Sequence, residues 1–149
     1  MAWWAAAVCL LPCGLALASA RPGGEWLRSF AQGFCHQDPD RCYWLGGLPL
    51  GLCVRCFCIY LGLAAGHLWF AGVRCSERWA IRLAFGAAFL MVADVTAEAF
   101  GAYHNLKWLR ATTGFGFGFS GAALTLRGLV QLLSPSNPQQ KKLVVYEPQ

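Results

Sequence analysis

Two groups of cysteines in the first half of the chain have the residue types and spacing of a metal or redox site. Cys35 and His36 begin the run CHQDPDRC, and Cys53 and Cys56 form a Cys-x-x-Cys pair. Such a pair at the start of a helix has both sulfurs on one face near the free first-turn amides, which lowers the thiol pKa. Together the four side chains would form a Cys₃His set, which matches zinc and, less specifically, iron.

The fourth ligand and the chemistry both have alternatives. Because Cys35 and His36 are neighbours, they rarely reach one ion together, and Cys42 could replace His36. If His36 is turned aside, three thiolates leave an open position, as in catalytic zinc sites, whereas four ligands form a closed structural site. In an oxidising compartment Cys35 or Cys42 would instead bridge to Cys53 or Cys56, and in a reducing one the thiols could be packed as small apolar side chains.

The composition indicates that these residues belong to a membrane protein. Of the 149 residues, 57% are hydrophobic and only 13% are charged, and the mean hydropathy is +0.44. Soluble domains carry about 25% charged residues. The net charge of +5 is spread between apolar stretches, so we expect a lipid bilayer and no nucleic acid as partner.

Four apolar stretches have the length of about 20 residues that one helical crossing needs. We therefore predict an all-α integral membrane four-helix bundle with the Cys/His loop between its first and second helices. The predicted spans are residues 2–20, 48–72, 79–103 and 111–133, in a single domain 1–133, and residues 134–149 form a flexible polar tail. The first span resembles a secretory signal in its small residues at 18–20, but the missing basic n-region favours a retained helix.

Ionised side chains inside these spans are costly, at about 2.5 to 3.5 kcal/mol each near the bilayer centre, so they need partners. Asp94 and Glu98 are four residues apart on one helical face, with Arg110 or Arg55 as counter-ion. The predicted buried polar residues are Asp94, Arg110, Tyr60, Arg55, Gln37 and Arg41. Gln37 and Arg41 could also orient an anionic group near His36.

Glycines at every fourth position predict close helix packing. Gly62 and Gly66 lie in the second span, and Gly114 and Gly118 lie in the fourth. Because glycine has no side chain, two helices can approach closely at such positions. We expect the second and fourth spans to pack together there.

The motifs FCHQDPDRC, LPLGLCVRCFCIYLG, MVADVTAEAFG and LKWLRATTGFGFG, within residues 26–121, resemble the uncharacterised predicted membrane protein family called domain of unknown function twenty eighty-five. The residues that match its expected pattern are Cys35, His36, Gln37, Arg41, Pro49, Cys53, Arg55, Cys56, Ile59, Tyr60, Gly62, Asp94, Arg110, Thr113 and Gly114. Cys42 and Cys58 stand where Ser and Gly are more usual, so the resemblance returns the fourth ligand place to His36. It implies a small helical membrane protein and supplies no reaction.

Three functions are compatible with these observations. The first is a membrane protein with a zinc or iron site at the membrane edge. The second is a thiol-disulfide redox protein that uses Cys53 and Cys56, and the third is a non-catalytic scaffold subunit of a larger membrane complex or homo-oligomer. We expect a multi-pass protein of a prokaryotic plasma membrane. The sequence has no Ser-His-Asp set, P-loop or nucleotide fingerprint.

Overall fold

The fold is mostly helical, with one small sheet. The computed structural model describes residues 2–33, 35–73 and 76–133, so the predicted tail 134–149 lies outside the described residues. The helices are α1 (Ala2–Ser19), α2 (Glu25–Ala31), α3 (Val54–Gly72), α4 (Glu77–Ala99) and α5 (Lys107–Leu133), and the strands are β1 (Cys42–Leu45) and β2 (Leu48–Cys53). A 3₁₀ turn over Pro39–Arg41 precedes β1.

The all-α prediction was wrong for the segment that joins α1 to α3. This segment contains the short helix α2 and an antiparallel hairpin, in which Cys42 lies opposite Cys53. Gly46 and Gly47 form the two-residue connection with φ of +60° and +82°, a conformation that glycine adopts without strain and that matches the twist of paired strands. Residues 48–53, which we assigned to the second helix, are therefore a strand, and the helix begins at Val54.

Helices α3 and α5 are in close contact along their glycines. A Cβ atom on Gly114 would lie 2.7 Å from the Arg55 carbonyl oxygen, and one on Gly66 would lie 2.6 Å from the Phe119 carbonyl oxygen. Added Cβ atoms on Gly62 and Gly118 would also meet backbone atoms of the facing helix. The two helices thus touch through their backbones, an approach that any larger residue would prevent.

Helix α1 packs on α3, and its last residue, Ser19, is hydrogen-bonded to the hairpin. The Ser19 hydroxyl donates a hydrogen bond to the Ala16 carbonyl at 2.7 Å and accepts one from the Gly51 N–H at 2.9 Å. Ser19 is buried, so these bonds satisfy groups that water cannot reach.

Helix α4 packs on α5 and has a wide apolar surface on its other side. Among its described residues only Ala80 and Asp94 are buried, whereas Phe85 and Phe89 are more than 70% exposed. Helices α3 and α4 are long and apolar enough to cross a bilayer, and α1 contributes a shorter apolar helix over Trp3–Ser19.

Candidate functional site

Three cysteine sulfurs from two separate segments meet beside the N-terminus of α3. The Sγ atoms of Cys35, Cys53 and Cys56 all lie within 4.8 Å of one another. Cys53 is the residue before the first turn of α3, and Cys56 follows it by three residues on the same face. Cys35 comes from the loop after α2, and its sulfur accepts a hydrogen bond from the Cys53 N–H at 3.3 Å.

The loop that carries Cys35 is held against β2 by side chains. The Gln37 Nε2 group donates hydrogen bonds to the carbonyls of Arg28, at 2.8 Å, and Gly51, at 2.9 Å. The Arg28 guanidinium donates to the Pro49 carbonyl at 2.8 Å. Gln37 has a φ of +50°, which is uncommon for a residue with a side chain, so these bonds hold a turn that the backbone alone disfavours.

The hydrogen bonds within the group favour a thiolate at Cys35. The thiols of Cys53 and Cys56 donate to the Cys35 sulfur and, with the N–H groups of Cys53 and Gln37, lower the pKa of Cys35 to about 2. The pKa of Cys53 is raised, first because its thiol donates to Cys35. A thiolate is the form of cysteine that binds metals and acts as a nucleophile.

The other two candidate ligands lie outside this group of sulfurs. Within the described residues, the group contains no histidine nitrogen or carboxylate oxygen, and the His36 side chain is exposed. Cys42 is fully buried, and burial raises the pKa of Cys42 to about 11. Of the predicted Cys₃His set, the structure thus brings together the three cysteines and not His36.

The spacing of the sulfurs fits a single metal ion. With a zinc–sulfur bond of about 2.3 Å, two bound sulfurs are about 3.8 Å apart at the tetrahedral angle. Sulfurs already within 4.8 Å of one another need to move by about an ångström at most to reach that geometry. Such small adjustments are available to Cys35 because it lies in a loop.

A second group of polar residues lies between α3, α4 and α5. The Asp94 carboxylate is buried and contacts the Arg55 guanidinium at 2.5 Å. It also accepts hydrogen bonds from the Thr113 hydroxyl at 3.1 Å and from the Tyr103 hydroxyl. Tyr103 was not predicted as a partner, because it follows the end of α4 and the sequence gives no spacing rule across the turn at Gly101.

Of the two counter-ions predicted for Asp94, the structure pairs Arg55 with it and not Arg110. Arg110, which is only 2% exposed, contacts Glu98 instead. Glu98 also lies 3.6 Å from Arg55 and 3.8 Å from Arg41. Three arginines thus converge on two carboxylates, with Arg55 in contact with both and Arg110 and Arg41 in contact with Glu98 alone.

Tyr60 lies on α3 one turn beyond Cys56. It is half-buried and packs against the hydrophobic cluster that contains Cys35. His67, further along α3, is buried and lies 3.1 Å from the Thr125 hydroxyl of α5. A histidine with such a partner needs no ligand to account for its burial.

Comparison with known proteins places this arrangement in a family. The chain is 29% identical over 92 residues to the uncharacterized protein MJ1492 of Methanocaldococcus jannaschii, and the alignment covers 58% of this chain and 57% of that protein. The chain therefore spans little more than half the length of this relative. No solved structure matches the chain. A match to the predicted membrane protein family DUF2085 spans residues 35–124, which include the three cysteines, Asp94 and Glu98, and the chain belongs to this family.

Proposed function

We propose that Cys35, Cys53 and Cys56 bind one zinc or iron ion at the edge of the membrane. The observation that carries this proposal is the position of the three sulfurs, which come from two segments and lie within 4.8 Å of one another. Thiolates are ligands for zinc and for iron. The hairpin and the Gln37 bonds hold the loop against the start of the helix, so little chain entropy is lost on metal binding.

Three protein ligands leave a fourth position open on a tetrahedral metal. Zinc sites with three protein ligands and an open position bind water or substrate, whereas sites with four are structural. His36 is exposed beside the site, so its ring is available to an incoming ligand. This arrangement favours a site that acts on an external molecule.

Metal analysis of protein purified in detergent tests the proposal. We expect about one zinc or iron ion per chain, and its loss in Cys53→Ser and Cys56→Ser. Cys58→Ser is the matched control, because Cys58 is two residues from Cys56 and lies outside the group of sulfurs. Wild-type protein that contains no metal after purification with added zinc, although the thiols of Cys35, Cys53 and Cys56 are free, would refute the proposal.

The variant His36→Ala distinguishes a metal site with three protein ligands and an open position from a closed site with four protein ligands. We expect this variant to keep its metal and its melting temperature, because His36 lies outside the group of sulfurs. Loss of metal from His36→Ala would show that histidine is the fourth ligand of a closed site.

A thiol-disulfide function is the second candidate, because the Cys53 and Cys56 sulfurs lie within 4.8 Å of each other at the start of one helix. Cys53 and Cys56 would cycle between dithiol and disulfide, with the Cys35 thiolate as exchange partner. Labelling with a thiol-reactive polymer before and after reduction distinguishes the two functions. A reducible bridge between Cys53 and Cys56 in metal-free protein supports the redox function.

We further propose that α1, α3, α4 and α5 each cross the plasma membrane of a prokaryotic cell, as a four-helix bundle. The apolar exposed surfaces of α1 and α4 support this topology, as does the relative from an archaeon. Labelling of single cysteines introduced at the helix ends tests it. With four crossings, the Gly46–Gly47 turn and the α4–α5 connection are labelled from the same side.

A further inference from the structure

An apolar cavity of about 230 Å³ lies between α1, α2 and α3, beside the sulfur site. Leu11 and Leu15 of α1, Ala31 of α2, Leu52 of β2 and Tyr60 of α3 are among its walls. Its volume is below that of a typical drug-sized pocket, so it fits a single ring or a short chain.

Residues that line the cavity also pack against the three cysteines. Ala31 and Leu52 form one hydrophobic cluster with Cys35, and Cys53, Cys56 and Tyr60 pack against it. A molecule in the cavity would therefore lie next to the sulfur site and not at a distant surface.

The cavity contains one polar side-chain group. Among the described residues that line it, only Tyr60 has a polar side chain, and its hydroxyl has no hydrogen-bond partner in the described part of the chain. Ligand pockets with mostly apolar walls use such single groups to orient the ligand. With no charged side chain in the lining, a charged phospholipid headgroup has no partner there.

The outer rim of the cavity is open on the apolar surface of α1. Val8 and Leu11 line the cavity and are each more than 60% exposed. In a membrane protein such side chains face lipid, so a ligand would enter sideways from the bilayer. The occupant is therefore lipid-soluble, uncharged and able to accept a hydrogen bond from a hydroxyl.

We propose that this cavity binds the ring of a lipid-soluble quinone, with one quinone carbonyl accepting a hydrogen bond from Tyr60. A quinone meets the three requirements, and its chemistry also matches the neighbouring thiols. Two thiols that form a disulfide release two electrons and two protons, and a quinone takes up the same number to become a quinol. The binding proposal does not depend on a metal in the sulfur site.

Binding is measured on full-length protein in detergent, from the rise in melting temperature with added decyl-substituted benzoquinone. Tyr60→Phe should weaken the Kd about tenfold, as expected for the loss of one hydrogen bond of about 1.4 kcal/mol. The matched control is Tyr43→Phe, which removes an exposed hydroxyl on β1, outside the cavity, and should leave the Kd unchanged.

A second pair of variants adds apolar volume, one inside the cavity and one outside it. Ala31→Leu should reduce quinone binding at least tenfold, whereas Ala88→Leu, in a separate apolar cleft beside Val92 and Phe117, should not. Wild-type protein treated with a metal chelator should still bind the quinone, so failure of the metal proposal is distinguishable from failure of this one.

Two results would overturn the proposal. One is an equal rise in melting temperature with a decyl chain that lacks the quinone ring, which would make the cavity a general lipid crevice. The other is an unchanged Kd in both Tyr60→Phe and Ala31→Leu.

Discussion

Replacement of Asp94 by Asn tests the buried ionic contact between α3 and α4. The side chains of Asp94 and Arg55 are 3% and 15% exposed, so water hydrates neither fully. The variant keeps the volume of the side chain and removes its charge. It also replaces one carboxylate oxygen by an amide N–H₂ group, which cannot accept the hydrogen bond that the Thr113 or the Tyr103 hydroxyl now donates to that oxygen.

The expected loss of stability follows from the partners that remain. Removing one member of a buried ion pair costs about 3 to 5 kcal/mol. Because Glu98 lies 3.6 Å from Arg55, the arginine keeps one carboxylate, and we expect the lower end of that range, about 3 kcal/mol. At about 2 to 4 °C per kcal/mol for a chain of this size, the melting temperature should fall by about 6 to 12 °C.

Thermal unfolding in detergent, followed by circular dichroism, measures this fall. Glu77→Gln is the matched control, because Glu77 is on the same helix but exposed, and its loss should cost less than about 1 kcal/mol. Adding Arg55→Met to Asp94→Asn should recover part of the loss, since it removes the buried guanidinium that has lost one of its two carboxylate partners. If Asp94→Asn and Glu77→Gln unfold at the same temperature, the argument from buried charge is refuted.

Two further predictions concern packing and hydrogen bonding, and both are read from melting temperatures. Gly118→Ala should destabilise the protein by about 1 to 3 kcal/mol, because the added Cβ would meet the Ile59 carbonyl. Gly116→Ala has open space at its Cβ position and should be neutral or stabilising; equal losses in the two variants would contradict the packing argument. Ser19→Ala should cost about 1 to 3 kcal/mol, because it leaves the Gly51 N–H without its partner, and an unchanged melting temperature would show that water replaces the hydroxyl.

The sequence was informative about the long helices because their signals are local. Apolar length places the helix ends within four residues of their observed positions, except for the start of α3, which is predicted six residues too early. The apolar pattern did not reveal the hairpin, although Gly46 and Gly47 between two short apolar runs are a known signal for a hairpin. The strong apolar character of residues 48–53 made them look like a continuation of the helix, whereas Pro49 and Gly51 both disfavour helix.

The candidate site could be predicted in part for the same reason. The Cys-x-x-Cys spacing is local, and it gave two of the three sulfurs directly. The partner of Asp94 could not be predicted, because the choice between Arg55 and Arg110 depends on the rotation of α4 about its axis. No residue pattern within α4 sets that rotation, since it follows from packing on α5.

The backbone contact between α3 and α5 has a consequence for the motion of the protein. Two helices that touch through their backbones cannot slide without separating, so they behave as one rigid body. Helix α4 has only two buried residues among those described, so it has fewer such constraints. Amide hydrogens in the middle of α3 and α5 should therefore exchange with solvent deuterium more slowly than those of α4, and a conformational change during function would be carried by α4.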